Sequence, residues 1–243
     1  MRNKSIKEEL EEASELIDVL KTQETDALNN EEVLKLRSPK IVSALSHCRI
    51  CLDYSTHDIE DVLISEANKK GIVLKPKEKL YFPYVTEQKR FNKRVNEILP
   101  NLKTYLPDVY NLLESIQPYN QPRNEQWLIN MIDLNNSTKH FGEKEQAKQM
   151  VSSVDIGNGA IVIDNSHNIQ LNNVTVNGVT QDSTFNLGEG EILAQPSNWD
   201  IQFEPFAKFK FKESDIFITR LLDNSLAGVD KYTDELYKLL VNY

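Results

Sequence analysis

The residues best suited to chemistry fall into two groups, each carried by a helical segment. Arg49, Asp53 and His57 are separated by steps of four, which puts all three on one face of a helix. An arginine–aspartate–histidine row can contact a phosphate and move a proton, because histidine titrates near neutrality. The plainer reading is a surface stripe of ion pairs, each contributing a few tenths of a kcal/mol. On the residues alone that plainer reading carries more weight.

Asn135, Asn136, Lys139 and His140 form the second group, at the end of a helix that starts near Trp127. The apolar stripe of Trp127, Leu128 and Met131 runs directly into Asn135 and Thr138. A polar side chain on a buried stripe has to be hydrogen-bonded. Asn135 is therefore expected to be buried and paired across to the helix of Asp53, with Asp53 as its side-chain partner. A structural brace and a polar cleft shared with Lys139 and His140 are equally good readings of this group.

Gln117-Pro118-Tyr119 reads as a turn locked by the packing of Tyr119, with a ligand contact through Tyr119 as the lesser alternative. Cys48 and Cys51 have the C-x-x-C spacing of a redox pair or half a zinc site. No second cysteine pair exists, and both lie inside a helical pattern where small apolar side chains pack well. His47 and His167 lie outside any cluster. None of the 4 histidines has the paired spacing of a zinc site, and no glycine-rich phosphate motif is present, so neither metal nor cofactor is expected.

The elements that must position these groups are mostly helices. Residues 5–21 open with the capping-box pattern Ser5-x-x-Glu8 and show a narrow apolar face, which suits a surface or partner-binding helix. A short helix is expected at about 31–37. The strongest signal is 39–70, where Ile41, Leu45, Cys48, Leu52 and Ile59 share one stripe and Ser46, Arg49, Asp53, His57 and Glu60 another. Gly71 ends it. Residues 72–87 are extended, because Pro83 lacks an amide donor and holds Phe82 out of helix. Helices follow at about 87–98, 107–116 and 123–140, separated by prolines.

After about 150 the period changes to two. Ala160–Ile163, Ile169–Leu171, Val174–Val176 and Phe209–Lys212 alternate between Asn/Asp/Gly turns, which is hairpin chemistry. A helix over 214–241 closes the chain. The expected fold is α+β: an irregular helical bundle followed by a small antiparallel β segment packed by a C-terminal helix. The expected divisions are 1–38, 39–150 and 151–243. The strands, over 159–212, are too closely spaced for helical crossovers.

Net charge is −9 and uneven. Residues 69–103 hold ten Lys/Arg against three Glu, while 1–32 hold four against ten acids. Such a chain is no general nucleic-acid binder, and any nucleic-acid contact is confined to 69–103. The plainer reading places that island against an acidic surface of the same chain or its twin. No stretch approaches the roughly 18 apolar residues of a membrane helix. With no apolar leader core behind Arg2 and Lys4, a cytoplasmic location is expected.

Taken in order, several pieces carry a resemblance. They are the helix with Cys51-Leu52-Asp53-Tyr54, then Leu80-Tyr81-Phe82-Pro83-Tyr84, then Ile116-Gln117-Pro118-Tyr119, then Leu134-Asn135-Asn136-x-x-Lys139-His140. Over about residues 40–142 the chain resembles an uncharacterised family of bacterial cytoplasmic proteins with a HEPN-like helical core. The resemblance implies an irregular helical bundle and sets two departures. Tyr54 stands where the family often has histidine, and Thr138 where it often has aspartate, so any chemistry those groups do in relatives is in doubt here. The HEPN ribonuclease signature, an arginine with histidine a few residues on, has Arg49 and His57 as its nearest analogue, and their spacing is too long.

Two functions fit. One is a non-catalytic interaction or regulatory module, in a bacterial stress or phage-defence setting, acting as a homo-oligomer or on a protein partner. The other is a metal-independent HEPN-type ribonuclease or nucleotide-processing enzyme, with Asp53, His57 and His140 catalytic and Arg49, Asn135, Asn136, Lys139 and Tyr119 binding. Mutual hydrogen-bond reach of these groups separates the two. A third and weaker idea is small-molecule sensing in a pocket between the bundle and the β segment.

Overall fold

Helix α1 (Asn3–Asn29) begins upstream of Ser5 in the computed structural model, so Ser5 lies within the helix and caps nothing. The reason is Arg2, whose backbone N–H and guanidinium are both held by Asp58, while its carbonyl accepts the first turn from the Ile6 amide at 3.0 Å. The structure describes the backbone of residues 1–122, 126–141, 145–156, 161–166, 168–176, 179–186, 201–212 and 216–243. Side chains are described for 1–122, 126–136, 145–149, 175, 207–212 and 216–243.

Ile6, Leu10, Ala13, Ile17, Leu20 and Ala27 of α1 are all buried. The narrow apolar face read from the sequence is thus covered within the chain, while most of the other positions of α1 are exposed. The helix expected at 31–37 is absent. Asn30 Oδ1 accepts from the Glu32 amide at 2.9 Å, an Asx-type turn that competes with helix in so short a segment.

Helix α2 (Ser38–Lys69) has Pro39 in its first turn and stops where Gly71, at φ 76°, turns back to donate to Asn68 O. Its buried residues include Ile41, Leu45, Cys48, Leu52, Ile59 and Leu63. Among the described residues α1, the extended segment after α2 and the later helices that carry Asn135 and Tyr232 all hydrogen-bond to it, as expected of a central helix with the longest apolar stripe. The extended segment after it leads to α3 (Gln88–Ile98), α4 (Leu102–Tyr105) and α5 (Pro107–Ser115). A 3-10 turn at Pro118–Asn120 precedes α6 (Trp127–Phe141). Phe91 of α3 packs on Tyr110 of α5 in a tilted arrangement, ring centroids 5.4 Å apart, and meets Tyr119 near edge-to-face at 6.3 Å.

The strands are β1 (Gln146–Ile156), β2 (Ile161–Ser166), β3 (Asn168–Val176), β4 (Val179–Asn186) and β5 (Ile201–Phe211). They form two sheets, β2-β1-β5 and β3-β4, and all pairings are antiparallel as expected. The expected single sheet over 159–212 is corrected in two respects: the strands divide between two sheets, and they begin earlier, at Gln146. Strand β1 pairs with β5 over eleven consecutive residues, a long-range partnership that local alternation does not announce. Helix α7 (Ile218–Leu240) closes the chain.

Contacts divide the described residues into two units. The helical unit contains 1–19, 37–144 and 219–243, and the sheet unit contains 20–36 and 145–218. In the helical unit, Tyr232 of α7 shares a hydrogen bond with Ser55 Oγ at 3.3 Å and meets Phe82 edge-on. In the sheet unit, Ala207, Phe209 and Phe211 are buried while Lys208 and Lys210 are not, the two-residue period read from the sequence. There Lys208 Nζ reaches Glu24 at 2.8 Å, and Gln146 exchanges two hydrogen bonds with the Leu36 backbone. Among the described residues no helix is long and apolar enough to cross a membrane.

Candidate functional site

The α2 stripe places Arg49 Nε 3.4 Å from Asp53 Oδ2, as its four-residue spacing requires. Asp53 Oδ1 accepts from the Phe82 amide at 2.9 Å. Both carboxylate oxygens are therefore engaged away from His57. His57 is partly exposed and has no hydrogen bond or ion pair among the described residues. One turn beyond it, the buried Glu60 accepts from the Lys77 amide at 2.9 Å. Asp53 and Glu60 thus act on the same neighbour. They hold the amides of the extended segment, which has no strand partner for them.

Asn135 is buried, and its Nδ2 donates to Leu45 O of α2 at 3.2 Å. The expected element is correct and the expected partner is not. Leu45 lies eight residues from Asp53, about 12 Å along the helix axis at 1.5 Å per residue. Asn136 is exposed. The side chains of Lys139 and His140 lie outside the described residues; of the groups whose mutual reach separates the two functions, Asp53 is held by Arg49 and the Phe82 amide and Asn135 by Leu45 O.

Gln117 makes three hydrogen bonds to backbone groups. It is fully buried, accepts from the Val85 amide at 3.0 Å, and donates to Pro83 O at 3.1 Å and Leu113 O at 2.9 Å. Its amide completes the hydrogen bonding of a backbone interrupted by Pro83. Tyr119, beside it, packs on Phe91, and its hydroxyl is buried without a hydrogen-bond partner among the described residues. Burial drives its phenol well above the ordinary range, with Glu114 and Tyr110 adding to the effect. These contacts are those of a packed turn.

Sequence reasoning missed two further clusters. Asp58 is fully buried and accepts from Arg2 Nη1 at 2.6 Å and from Tyr237 Oη at 2.6 Å. Burial, then this hydrogen bond, hold the Tyr237 phenol protonated far above its ordinary value. His47 Nδ1 lies 2.5 Å from Glu9 Oε2 of α1. The partners are 38 to 179 residues apart, so no local pattern could pair them. Cys48 and Cys51 are free and buried, and burial pushes the Cys48 thiol up to about 12, the direction of an inert packing thiol.

A cleft of about 450 Å³ opens beside α7, lined by Ile116, Gln121, Trp127, Asn224, Arg220 and Lys231, with Glu235 at its border. The Trp127 ring lies against Gly228, where an added Cβ would come within 2.3 Å of the indole. Among the described residues no group of histidine, cysteine and carboxylate side chains is arranged to hold a metal. No protein-family model matches the chain, and no curated protein or solved structure is similar to it.

Proposed function

We propose that the chain is a non-catalytic interaction or regulatory module built on a HEPN-like helical core. The observation that carries this reading is the engagement of Asp53. A general base must be within hydrogen-bond reach of the group it serves, and Asp53 is instead held by Arg49 and the Phe82 amide. Asn135 serves α2 as a brace through Leu45 O. The order of motifs over about 40–142 supports the HEPN-like core, and a bacterial stress or phage-defence setting with self-association belongs to the same proposal.

The test uses the full chain with end-labelled RNA and with nucleoside triphosphates, followed by product analysis. Intact substrates at high protein excess are expected, together with lowered stability in Asp53→Ala. Turnover that disappears in His57→Ala or His140→Ala would overturn the proposal in favour of a metal-independent nuclease.

A further inference from the structure

The basic island offers a second site. All ten lysines and arginines of 69–103 are exposed, so among the described residues the island is not buried against an acidic surface of its own chain. Several of these side chains are tied locally. Lys89 and Arg90 share Glu87, and Arg94 lies 3.7 Å from Glu97. Lys77 donates to Glu97 O, and Lys70 stands over the Tyr105 ring.

Within the island a cleft of about 410 Å³ is framed by α3, α4 and Tyr110 of α5. Lys93 and Lys103 supply its charge, and Asn92, Asn96, Asn101 and Thr104 its polar groups; no carboxylate lines it. Two internal bonds decide its polarity. Tyr110 Oη donates to Asn92 Oδ1, and the Asn101 amide donates to Asn96 Oδ1 at 3.1 Å. Each bond occupies one lone pair of the acceptor oxygen, and each side chain keeps its Nδ2 donor. Lys103 stands over the Tyr110 ring at 4.9 Å, which holds its ammonium at the cleft. Asn101 has φ 63°, the left-handed conformation that turns the chain at this point.

We propose that this cleft binds a phosphate group of a ligand, as a phosphomonoester or a phosphodiester. Two ammonium groups match the charge of roughly −1.5 to −2 on a phosphomonoester at neutral pH. Ammonium and amide donors, with no carboxylate among the lining residues, suit its oxygens, and the volume lies in the range of small-ligand clefts. The other exposed cations of the basic island, Lys75 and Lys79 among them, would carry the further phosphates of a polymer. This inference rests on the reading of the chain as a binding module and names the chemistry it binds.

The experiment titrates the full chain at low salt with inorganic phosphate, a nucleoside 5′-monophosphate and a fluorescent single-stranded RNA. Calorimetry, anisotropy and amide NMR shifts are the readouts. Saturable binding is expected, weakened about tenfold in each of Lys93→Ala and Lys103→Ala, as for loss of a hydrogen bond to a charged group. Both side chains are exposed, so the variants should fold, and circular dichroism checks this. Loss confined to the RNA arm in Lys75→Ala/Lys79→Ala identifies the polymer as the source; unchanged binding in all arms identifies the small phosphomonoester. Binding that survives Lys93→Glu/Lys103→Glu, or no binding to any probe, overturns the site. RNA that is bound and cut upholds the site and removes the non-catalytic reading, whereas no binding to any of the three probes, with the RNA left intact, does the opposite.

Discussion

Gln117 joins three backbone groups through one side chain, and its neighbour Tyr119 joins none through its hydroxyl. Removing the first leaves buried backbone groups unsatisfied, at about 1–3 kcal/mol for each unpaired group. Gln117→Ala is therefore expected to lower stability by about 2–4 kcal/mol in urea denaturation. Tyr119→Phe removes a buried polar atom that has no partner, so its stability should be unchanged or slightly raised. A loss above about 1 kcal/mol in Tyr119→Phe would reveal a hydrogen bond and reopen its ligand role. Gly228 makes an opposite point about local preference. Alanine favours an exposed helix interior by about 1 kcal/mol over glycine, yet here its Cβ would lie 2.3 Å from Trp127 Cδ2. Overpacking of that kind costs about 1–3 kcal/mol. Gly228→Ala should destabilise, and Trp127→Leu should relieve the effect; a stabilised Gly228→Ala would show that the ring moves freely.

At the scale of elements, α2, α6 and α7 were legible from their apolar periods, and α3 and α5 from apolar positions set off by Pro100 and Pro107. Helix α4 was not, since four residues carry no period. Strand β1 was missed because Gln146-Ala147-Lys148-Gln149 has little β propensity of its own and is held by β5. The candidate site was legible to the level of the element and no further. The buried stripe in α6 identified Asn135 as a buried polar group paired to α2, but which α2 atom it meets depends on how the helices are offset along their axes. That offset put Leu45 O, not Asp53, opposite the amide. The consequence is measurable. Sites beyond about 7–10 Å with no shared partner add to within about 0.3–0.5 kcal/mol. Asp53→Ala and Asn135→Ala should therefore be additive in a double-mutant cycle, with each separately destabilising. A coupling above about 1 kcal/mol would mean that the two side chains share a network after all.

At the scale of the whole molecule, the buried ionisable groups that titrate late share one sign. Burial pushes the Cys48 thiol up to about 12 and the Tyr84 phenol up to about 12, the latter aided by Asp133. Cys51, Tyr232 and Tyr237 move in the same direction, each chiefly through burial. All of these groups are neutral when protonated, so the folded chain keeps protons that the unfolded chain releases. The unfolded thiols titrate near 9.0 and the phenols near 10.0. Their contribution to stability is thus fully present below pH 9 and is lost as pH rises from 9 toward 12. A fully buried thiol adds up to about 1.4 kcal/mol per pH unit to that fall. Denaturant midpoints measured at pH 8, 9 and 10 should decline steadily above pH 9, before any effect of the phenols is felt. Cys48→Ala/Cys51→Ala removes the two earliest groups, so its midpoint should start lower at pH 8 and fall less steeply between 9 and 10. Both thiols should also resist a thiol-reactive dye at pH 8 until denaturant is added. Parallel slopes in the two proteins, or rapid labelling of the native chain, would show that the thiols titrate alike folded and unfolded and do not lie in the packed interior of α2.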